Sequence, residues 1–232
     1  MKFKITYSDR DKFIWFQVNK SASSSIYHVL VENTKLVPNK DYFKHIDFLN
    51  KKKKHPELNK YSPTARFPSN LVNLVRPLYE HRVDSKTFNS LKARESHFSF
   101  SFVRNPWSRL VSYYNAGFQN DERFKKDFKN TASFSECIEI ITKTENLYAN
   151  PHYKPQVSCF PLNTLDFIGK VENFNEDFNY ICNAIKMPQQ TSIHLNKSKH
   201  KHYTEYYNRK DIDLVAEIYK DDIEMFGYKF ED

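Results

Sequence analysis

The chain has 232 residues, of which 39% are hydrophobic and 16% aromatic, and this composition predicts one folded domain over residues 1–232, not a disordered chain. Its formal net charge of +8 predicts an anionic partner: nucleic acid, a phosphorylated cofactor, an acidic glycan or a membrane surface. Only three glycines occur, which excludes a glycine-rich nucleotide loop of the usual kind.

A strand, a loop and a helix are predicted near the N-terminus. Aromatic and β-branched residues from Phe13 to Val18 indicate a buried strand, and apolar residues at helical spacing begin at Ile26. The small and polar residues between them, Asn19 to Ser25, leave several backbone N–H groups without partners at a helix start. Such a junction favours an anion, and Lys20 adds a positive charge. An ordinary junction with a serine N-cap is the alternative, and this stretch alone leaves both open.

Residues 35–77 are predicted to form an insertion of loops and short helices, because prolines recur and no periodicity persists. Its lysine run, Lys51 to Lys54, is predicted to be a solvated face, with a surface for an acidic acceptor as the alternative. The stretch from Leu78 to Arg82 is predicted to lead into a second helical segment in which Phe88 and Leu91 face one way.

A second strand and helix meet at Arg104. Phenylalanines alternate with small or polar residues from His97 to Val103, which indicates a strand. Asn105 suits the N-cap of the following helix, Pro106 suits its first position, and Ser112 lies two turns along it. Ligands of open α/β sheets bind beyond the carboxyl ends of strands, and the arginine fork suits a terminal phosphate. The two junctions together therefore suit a nucleotide with two separate anionic groups.

The second half of the chain continues the alternation of strands and helices. Ser133 and Glu136 form a capping box before a helix, and a strand is predicted around Leu165 to Ile168. A further helix carries apolar residues from Phe174 to Ile185, and a last helix ends at Gly227. This order predicts the α/β class, with a mainly parallel sheet and helices on both faces.

The cysteines and the N-terminus predict the compartment. Cys137, Cys159 and Cys182 are far apart and form no Cys-x-x-Cys pair, so neither a zinc site nor a disulfide framework is predicted. The stretch MKFKITYSDRDK lacks the apolar segment of a signal peptide, and no run approaches the ~20 apolar residues of a membrane span. These features predict a soluble, reduced, cytoplasmic protein.

Several stretches resemble the PAPS-dependent sulfotransferases, in particular the carbohydrate (Golgi-type, family 2) branch. NKSASSSI from Asn19 resembles their 5′-phosphosulfate loop, and VRNPWSRLVSYY from Val103 resembles their 3′-phosphate motif. NPHYKPQ, DFIGKVENFNEDF and YKDDIEMFGYKF add further similarity, so the resemblance runs from about Phe13 to Phe230. Asn19 replaces the family's usual proline and Asn105 its usual aspartate, and both substitutes suit turns or caps.

The resemblance implies a P-loop-like fold and sulfuryl transfer from PAPS (3′-phosphoadenosine 5′-phosphosulfate) to a hydroxyl of an acceptor, by in-line transfer without a metal. In that scheme Lys20 neutralises charge on the leaving phosphate, and Arg104 and Ser112 hold the 3′-phosphate. The 5′-phosphate is held by backbone N–H groups of five residues of the first loop: Ser21, Ala22, Ser23, Ser24 and Ser25.

A histidine is expected to take the proton of the acceptor. His81 is the first candidate, because YEHRVDSKTF resembles the family segment that carries the catalytic histidine; a surface histidine is the alternative. His152 is the second candidate and is predicted, with Gln156, to shape the acceptor site. Lys197 and Ser198 are predicted to close over the nucleotide, or else to belong to a solvated basic turn. Glu172 is either an orienting carboxylate for a base or a carboxylate at a helix start.

Two other function classes share part of this pattern. A P-loop kinase needs G-x-x-x-x-G-K-[ST], but Lys20 precedes the small residues here and no glycine lies nearby, which disfavours ATP chemistry. A polyanion-binding module would use the lysines at 51–54 and 197–201, yet the aromatic residues mostly follow core periodicities. The acceptor is predicted to be a sugar or polysaccharide, with a small alcohol or a lipid glycan as alternatives, and no nucleic acid partner is predicted.

Overall fold

The computed structural model describes residues 3–8, 11–34, 79–83, 88–89, 97–120, 133–145, 147–189 and 201–231, with the backbone alone at 31–34, 79–83 and 116–120. The predicted insertion at 35–77 lies outside the described residues. The same holds for Lys197 and Ser198, so their predicted contact with the nucleotide stays a prediction.

A five-stranded sheet forms the centre of the protein. Its strands are β1 (Phe3–Ser8), β2 (Phe13–Phe16), β3 (Tyr79–Val83), β4 (Phe98–Val103) and β5 (Phe167–Lys170), in the order β3-β1-β2-β4-β5. The pairs β2–β4 and β4–β5 are parallel, whereas β1 is antiparallel to both of its neighbours. In this sheet only β1 therefore runs against the other strands, which confirms the predicted mainly parallel sheet.

Six helices are described: α1 (Ser23–Thr34), α2 (Pro106–Asn120), α3 (Phe134–Thr142), α4 (Phe174–Ala184), α5 (Arg209–Ile218) and α6 (Lys220–Phe226). The predicted capping box of α3 is present, since Ser133 and Glu136 bond reciprocally. Gly227 ends α6 with a φ of 66°, as predicted. Among the helices in the described ranges, none is both long and apolar enough to cross a bilayer.

The predicted single C-terminal helix is in fact the pair α5 and α6. Tyr219 lies between them with a non-helical backbone (φ −111°, ψ 27°). Its ring is buried, and its hydroxyl donates to the carbonyl of Tyr153 at 2.6 Å. The break therefore occurs where a buried side chain ties the chain to a distant loop, a contact that helical periodicity does not reveal.

Neither β1 nor β3 is predicted from the sequence. The sequence of β1 does carry the alternating pattern of a strand, because the buried residues Phe3 and Ile5 flank the exposed Lys4. The sequence assigns no structure to the stretch that leads from Leu78 into the predicted helical segment, and Tyr79–Val83 forms β3 at the sheet edge. Phe88 and Asn89, within that predicted segment, are helical. The polar sequence of β3 suits an edge strand, and its pairing with β1 is a contact between distant parts of the chain that local patterns do not reveal.

Aromatic side chains cover both faces of the sheet. On one face Phe13 and Trp15 of β2 pack with Phe100 and Phe102 of β4 against α1 and α4. On the other face Ile14 and Phe16 pack into a second cluster that includes Phe226 of α6. Successive residues of β2 thus point to opposite faces, and both faces carry helical residues, as predicted.

Candidate active site

The two predicted phosphate junctions lie side by side. β2 and β4 are adjacent and parallel, and Phe16 at the end of β2 pairs with Ser101 of β4. The loops that follow these strands therefore leave the sheet at the same edge, where open α/β sheets bind ligands. Arg104 Nη1 lies 3.5 Å from the carbonyl oxygen of Lys20, which connects the two loops directly.

The first loop, residues 19–22, has an unusual backbone. Lys20 and Ala22 have φ values of 68° and 57°, in the left-handed region that residues with a Cβ seldom adopt. The Ser23 hydroxyl donates to the carbonyl of Val18 at 2.6 Å and closes the turn into α1. The first N–H groups of α1 have no partner within the helix, and its first turn carries no acidic residue. The loop and the first turn of α1 therefore present backbone N–H groups in the arrangement that favours anions.

The five predicted 5′-phosphate residues lie in this loop and the first turn of α1. The Ser21 side chain is buried, and its hydroxyl donates to Gln156 Oε1 at 3.1 Å. Ser23 uses its hydroxyl on Val18, as described above. These two hydroxyls therefore shape the loop, whereas the prediction concerns the backbone N–H groups. The Ser21 N–H donates to the Val18 carbonyl at 3.3 Å, so it too shapes the loop. Ser24 and Ser25 follow in α1, where such N–H groups meet the positive end of the helix dipole.

The second loop, residues 104–105, directs Arg104 toward the first. Arg104 Nε donates to Ser108 Oγ at 3.0 Å, and Nη1 contacts the Lys20 carbonyl. Burial lowers the pKa of Arg104, and the carboxylate of Glu172 acts in the opposite direction. Ser112 lies one turn beyond Ser108 on the same side of α2 and is partly exposed. The Arg104 guanidinium thus lies against Ser108 in the first turn of α2, and Ser112 follows one turn later.

Asn105 uses every polar group that it has. Its Oδ1 accepts from the backbone N–H groups of Trp107 (3.0 Å) and Ser108 (3.3 Å), which confirms the predicted N-cap. Its Nδ2 donates to the carbonyl of Lys229 at 2.7 Å, and its own N–H donates to Glu172 Oε1 at 2.9 Å. The Glu172 carboxylate therefore anchors the second loop.

Gln156 lies behind the two loops and has no exposed surface. Its Oε1 accepts from Ser21 Oγ (3.1 Å) and from the Arg104 N–H (2.9 Å), and its Nε2 donates to the Arg104 carbonyl (2.8 Å). The sequence predicts an acceptor contact for Gln156. In the structure the amide is instead buried, because it bonds to both loops from the protein side.

Arg109 and Asp222 are buried beside Gln156, and neither is predicted to be a site residue. Arg109 Nε donates to the carbonyl of Asn19 (3.0 Å), and Nη1 donates to that of Lys154 (2.9 Å). Asp222 accepts from the backbone N–H of Gln156 at 2.9 Å. Burial raises the pKa of Asp222, and the positive charge of Arg109 opposes that rise. We call Arg109, Gln156 and Asp222 the buried polar cluster.

His152 lies on the Lys20 side of the site. The Lys20 ammonium is 6.0 Å from the centroid of the Tyr113 ring, and the His152 ring stacks on Tyr113 at 5.4 Å with an interplanar angle of 14°. Asn150 Oδ1 accepts from the His152 backbone N–H at 2.9 Å and lies 3.3 Å from His152 Nδ1. Tyr113, which the sequence does not single out, is thus the residue that links His152 to Lys20.

His81 lies in β3, two strands from β2. Its backbone pairs with Ile5, and Ile5 pairs with Phe16, so the three residues lie in one row across the sheet. This register places the His81 backbone level with the end of β2, from which the first loop emerges. Its predicted catalytic role stays a prediction. Among the described residues, no group of three or more His, Cys, Asp or Glu is arranged to hold a metal ion.

Comparison with known proteins agrees with this arrangement. A family model described as "Sulfotransferase family" matches residues 3–229. A protein of Archaeoglobus fulgidus described as uncharacterized is 28% identical over 126 residues, which are 54% of this chain and 93% of that protein. Carbohydrate sulfotransferase 14 of Danio rerio is 26% identical over 189 residues, or 66% of this chain. This chain spans about half (52%) of the length of the Danio rerio protein. No solved structure matches the chain.

Proposed function

We infer the function from the premise that this chain belongs to the sulfotransferase family, whose model matches residues 3–229. We propose that it transfers a sulfuryl group from PAPS to a hydroxyl group of a carbohydrate. One observation supports the choice of donor: the first and second loops lie at neighbouring strand ends and are joined by the contact between Arg104 Nη1 and the Lys20 carbonyl. PAPS is anionic at both its 5′ and its 3′ end, so its two ends match the two loops.

The residues present fit this donor. When bound, PAPS supplies the sulfuryl group carried by its 5′-phosphate. The Lys20 ammonium neutralises the charge that develops on the departing phosphate oxygen, and the N–H groups from Ala22 to Ser25 bind the 5′-phosphate. Arg104 and Ser112 bind the 3′-phosphate. Positioning and charge stabilisation of this kind account for most of the catalysis in such in-line transfers.

The donor assignment is tested by titrating 3′-phosphoadenosine 5′-phosphate (PAP) into the protein in a calorimeter. Arg104→Ala is expected to weaken PAP binding by about 10- to 100-fold, because a hydrogen bond to a charged group contributes ~1.5–3 kcal/mol. Arg209→Ala is the control, since Arg209 is highly exposed on α5, where it pairs with the likewise exposed Asp213. Equal PAP affinity of wild type and Arg104→Ala would remove Arg104 from the site.

For the base we propose His81, with His152 as the second candidate. His81→Ala is expected to abolish transfer and to leave PAP binding largely intact, because the base acts on the acceptor. The exposed His202 provides the control variant His202→Ala. If His81→Ala keeps its turnover, the role moves first to His152, whose ring stacks on the Tyr113 ring near Lys20.

The carbohydrate acceptor is proposed from the name of the Danio rerio relative and from the family branch that the sequence resembles. A transfer assay with radiolabelled PAPS against sugars, polysaccharides, small alcohols and lipid glycans tests it. Label on the sugars or polysaccharides is the expected result, and label only on a small alcohol would reject a carbohydrate acceptor. A polyanion-binding module would instead bind DNA or RNA with a strong salt dependence and would not bind PAP.

We also propose that the protein works in the cytoplasm. The support is that Cys137, Cys159 and Cys182 are buried free thiols, and burial raises the pKa of Cys137 to about 12 and that of Cys182 to about 11. Thiols kept reduced are usual in that compartment. Fractionation of cells that express the tagged chain tests this proposal, and recovery outside the cytoplasmic fraction would reject it.

A further inference from the structure

We propose that Gln156 is a positioning residue that couples the two phosphate-binding loops, so that the protein favours a nucleotide with both a 5′- and a 3′-phosphate over one with a single phosphate. This inference rests on the proposed function, because it assumes that the loops at Lys20 and Arg104 bind the two ends of one nucleotide.

The first step is the geometry of the Gln156 amide. It bonds to Arg104 at both ends, accepting from the Arg104 N–H at 2.9 Å and donating to the Arg104 carbonyl at 2.8 Å. A two-point contact with one residue fixes its backbone orientation more closely than a single bond does. The same Oε1 also accepts from Ser21 Oγ at 3.1 Å. One buried amide is therefore shared by the two loops, which are 135 and 52 residues away in the chain.

The second step is the anchoring of Gln156 itself. Asp222 in α6 accepts from the N–H of Gln156 through Oδ2 and from the N–H of Val157 through Oδ1, both at 2.9 Å. Asp222 has no exposed surface. The backbone of Gln156 is thus bonded to a buried carboxylate. A displacement of either loop therefore breaks hydrogen bonds of the Gln156 side chain, because that side chain cannot move with the loop. This makes the spacing of Ser21 and Arg104 a fixed property of the folded protein.

The third step is that the first loop keeps other contacts when Gln156 is changed, whereas the Arg104 backbone loses both of its bonds to the Gln156 amide. The long contact of Arg104 Nη1 with the Lys20 carbonyl, at 3.5 Å, then remains between the two loops. Arg109 donates to the Asn19 carbonyl, and the Ser23 hydroxyl donates to the Val18 carbonyl. These contacts hold the first loop when Gln156 is changed. A ligand with one 5′-phosphate uses that loop alone, whereas PAP needs Arg104 at a set distance from it. A fixed spacing of the two loops therefore raises the affinity for PAP more than the affinity for a ligand with one 5′-phosphate.

The experiment measures the ratio of the affinities for PAP and for adenosine 5′-phosphate by calorimetry. Gln156→Met keeps the length and approximate volume of the side chain but removes its hydrogen bonds. Its affinity ratio is expected to fall about tenfold, the equivalent of about one net hydrogen bond. Gln189→Met, at the exposed Gln189, should keep the wild-type ratio. A residue that only supports the fold would lower the melting temperature and leave the ratio unchanged.

Ser21→Ala provides a second variant if Gln156→Met does not fold, as judged by circular dichroism. It removes only the Ser21 hydroxyl bond and is expected to lower the ratio about threefold, within the range of one neutral hydrogen bond. If wild type binds PAP and a folded variant keeps the wild-type ratio, the inference is overturned and the proposed function stands. If wild type does not bind PAP, the proposed function fails, and the inference fails with it.

Discussion

The first and second loops lie at the same edge of the sheet but are stabilised in different ways. The helix start at the second loop is stabilised by its immediate neighbours, since Asn105 caps the N–H groups of Trp107 and Ser108 and Arg104 bonds to Ser108. Distant residues add to this local support, because Gln156 bonds to the Arg104 backbone and Glu172 to the Asn105 N–H. The first loop depends on distant residues, since Arg109 binds the Asn19 carbonyl and Gln156 binds the Ser21 hydroxyl, with separations of 90 and 135 residues. The helix start at the second loop is thus encoded locally, whereas the conformation of the first loop is encoded by the whole fold.

This difference follows from the backbone of the first loop. Lys20 and Ala22 occupy the left-handed region, which costs a residue with a Cβ about 1–2 kcal/mol. Such a conformation persists only where the surrounding structure determines it. The buried polar cluster provides that surrounding structure. Changes in the cluster should therefore destabilise the protein most, whereas local changes at the second loop should have smaller and more confined effects.

The largest effect is expected for Arg109→Met. The substitution leaves the carbonyls of Asn19 and Lys154 without their donor and removes the cation that opposes the negative charge of the buried Asp222. We expect a loss of about 3 kcal/mol in the free energy of unfolding, measured by urea denaturation.

Arg209→Met is the matched control for this variant. Arg209 and Asp213 form an exposed ion pair at 3.2 Å, and such pairs contribute at most ~1 kcal/mol. Similar losses for the two arginine variants would mean that Arg109 does not support the first loop, and the contrast between the loops would fail.

The next largest effect is expected for Asn105→Asp, which introduces the residue usual in the family. Here the Asn105 Nδ2 donates to the Lys229 carbonyl at 2.7 Å, and a carboxylate oxygen would face that carbonyl instead. The new charge would also be buried close to Glu172, which accepts from the Asn105 N–H. We expect a loss of about 2 kcal/mol in the free energy of unfolding.

The exposed Asn183 in α4 allows the same substitution as a control. Asn183→Asp should change the free energy of unfolding by less than about 0.5 kcal/mol, as is usual at the surface. If Asn105→Asp is as stable as wild type, the C-terminal segment does not require the amide, and the second loop depends even less on distant contacts.

The same contrast explains what could be predicted from the sequence. The second loop was predictable, because Asn105 and Pro106 mark a helix start within a few residues of Arg104. The sheet direction and the capping box at Ser133 also follow from local patterns. The roles of Arg109 and Gln156 could not be predicted in this way, because their partners lie up to 135 residues away. A buried arginine or glutamine has no periodic signature of its own.

A smaller effect, confined to the second loop, is expected for Ser108→Ala. Its hydroxyl accepts from Arg104 Nε at 3.0 Å and orients the guanidinium. Without it we expect PAP affinity, measured by calorimetry, to fall about 3- to 10-fold, because the hydroxyl orients the guanidinium without contacting the ligand itself. Ser112→Ala should lower the affinity at least as much, because we propose that Ser112 contacts the 3′-phosphate itself. Unchanged PAP affinity in Ser108→Ala would show that Arg104 does not need this local support.

The smallest effect, opposite in sign, is expected for Ala22→Gly. Glycine adopts a φ of 57° without the clash of a Cβ, but it also gains entropy in the unfolded chain and loses the partial packing of the methyl group. The net gain should be at most about 1 kcal/mol in the free energy of unfolding. Ala216→Gly, within α5, should instead lose about 1 kcal/mol, the usual cost of glycine in a helix. If both variants lower the free energy of unfolding equally, the left-handed backbone at Ala22 is not strained, and the distant contacts have no strain to offset. If Ala22→Gly raises the free energy of unfolding while Ala216→Gly lowers it, the strain lies in the first loop.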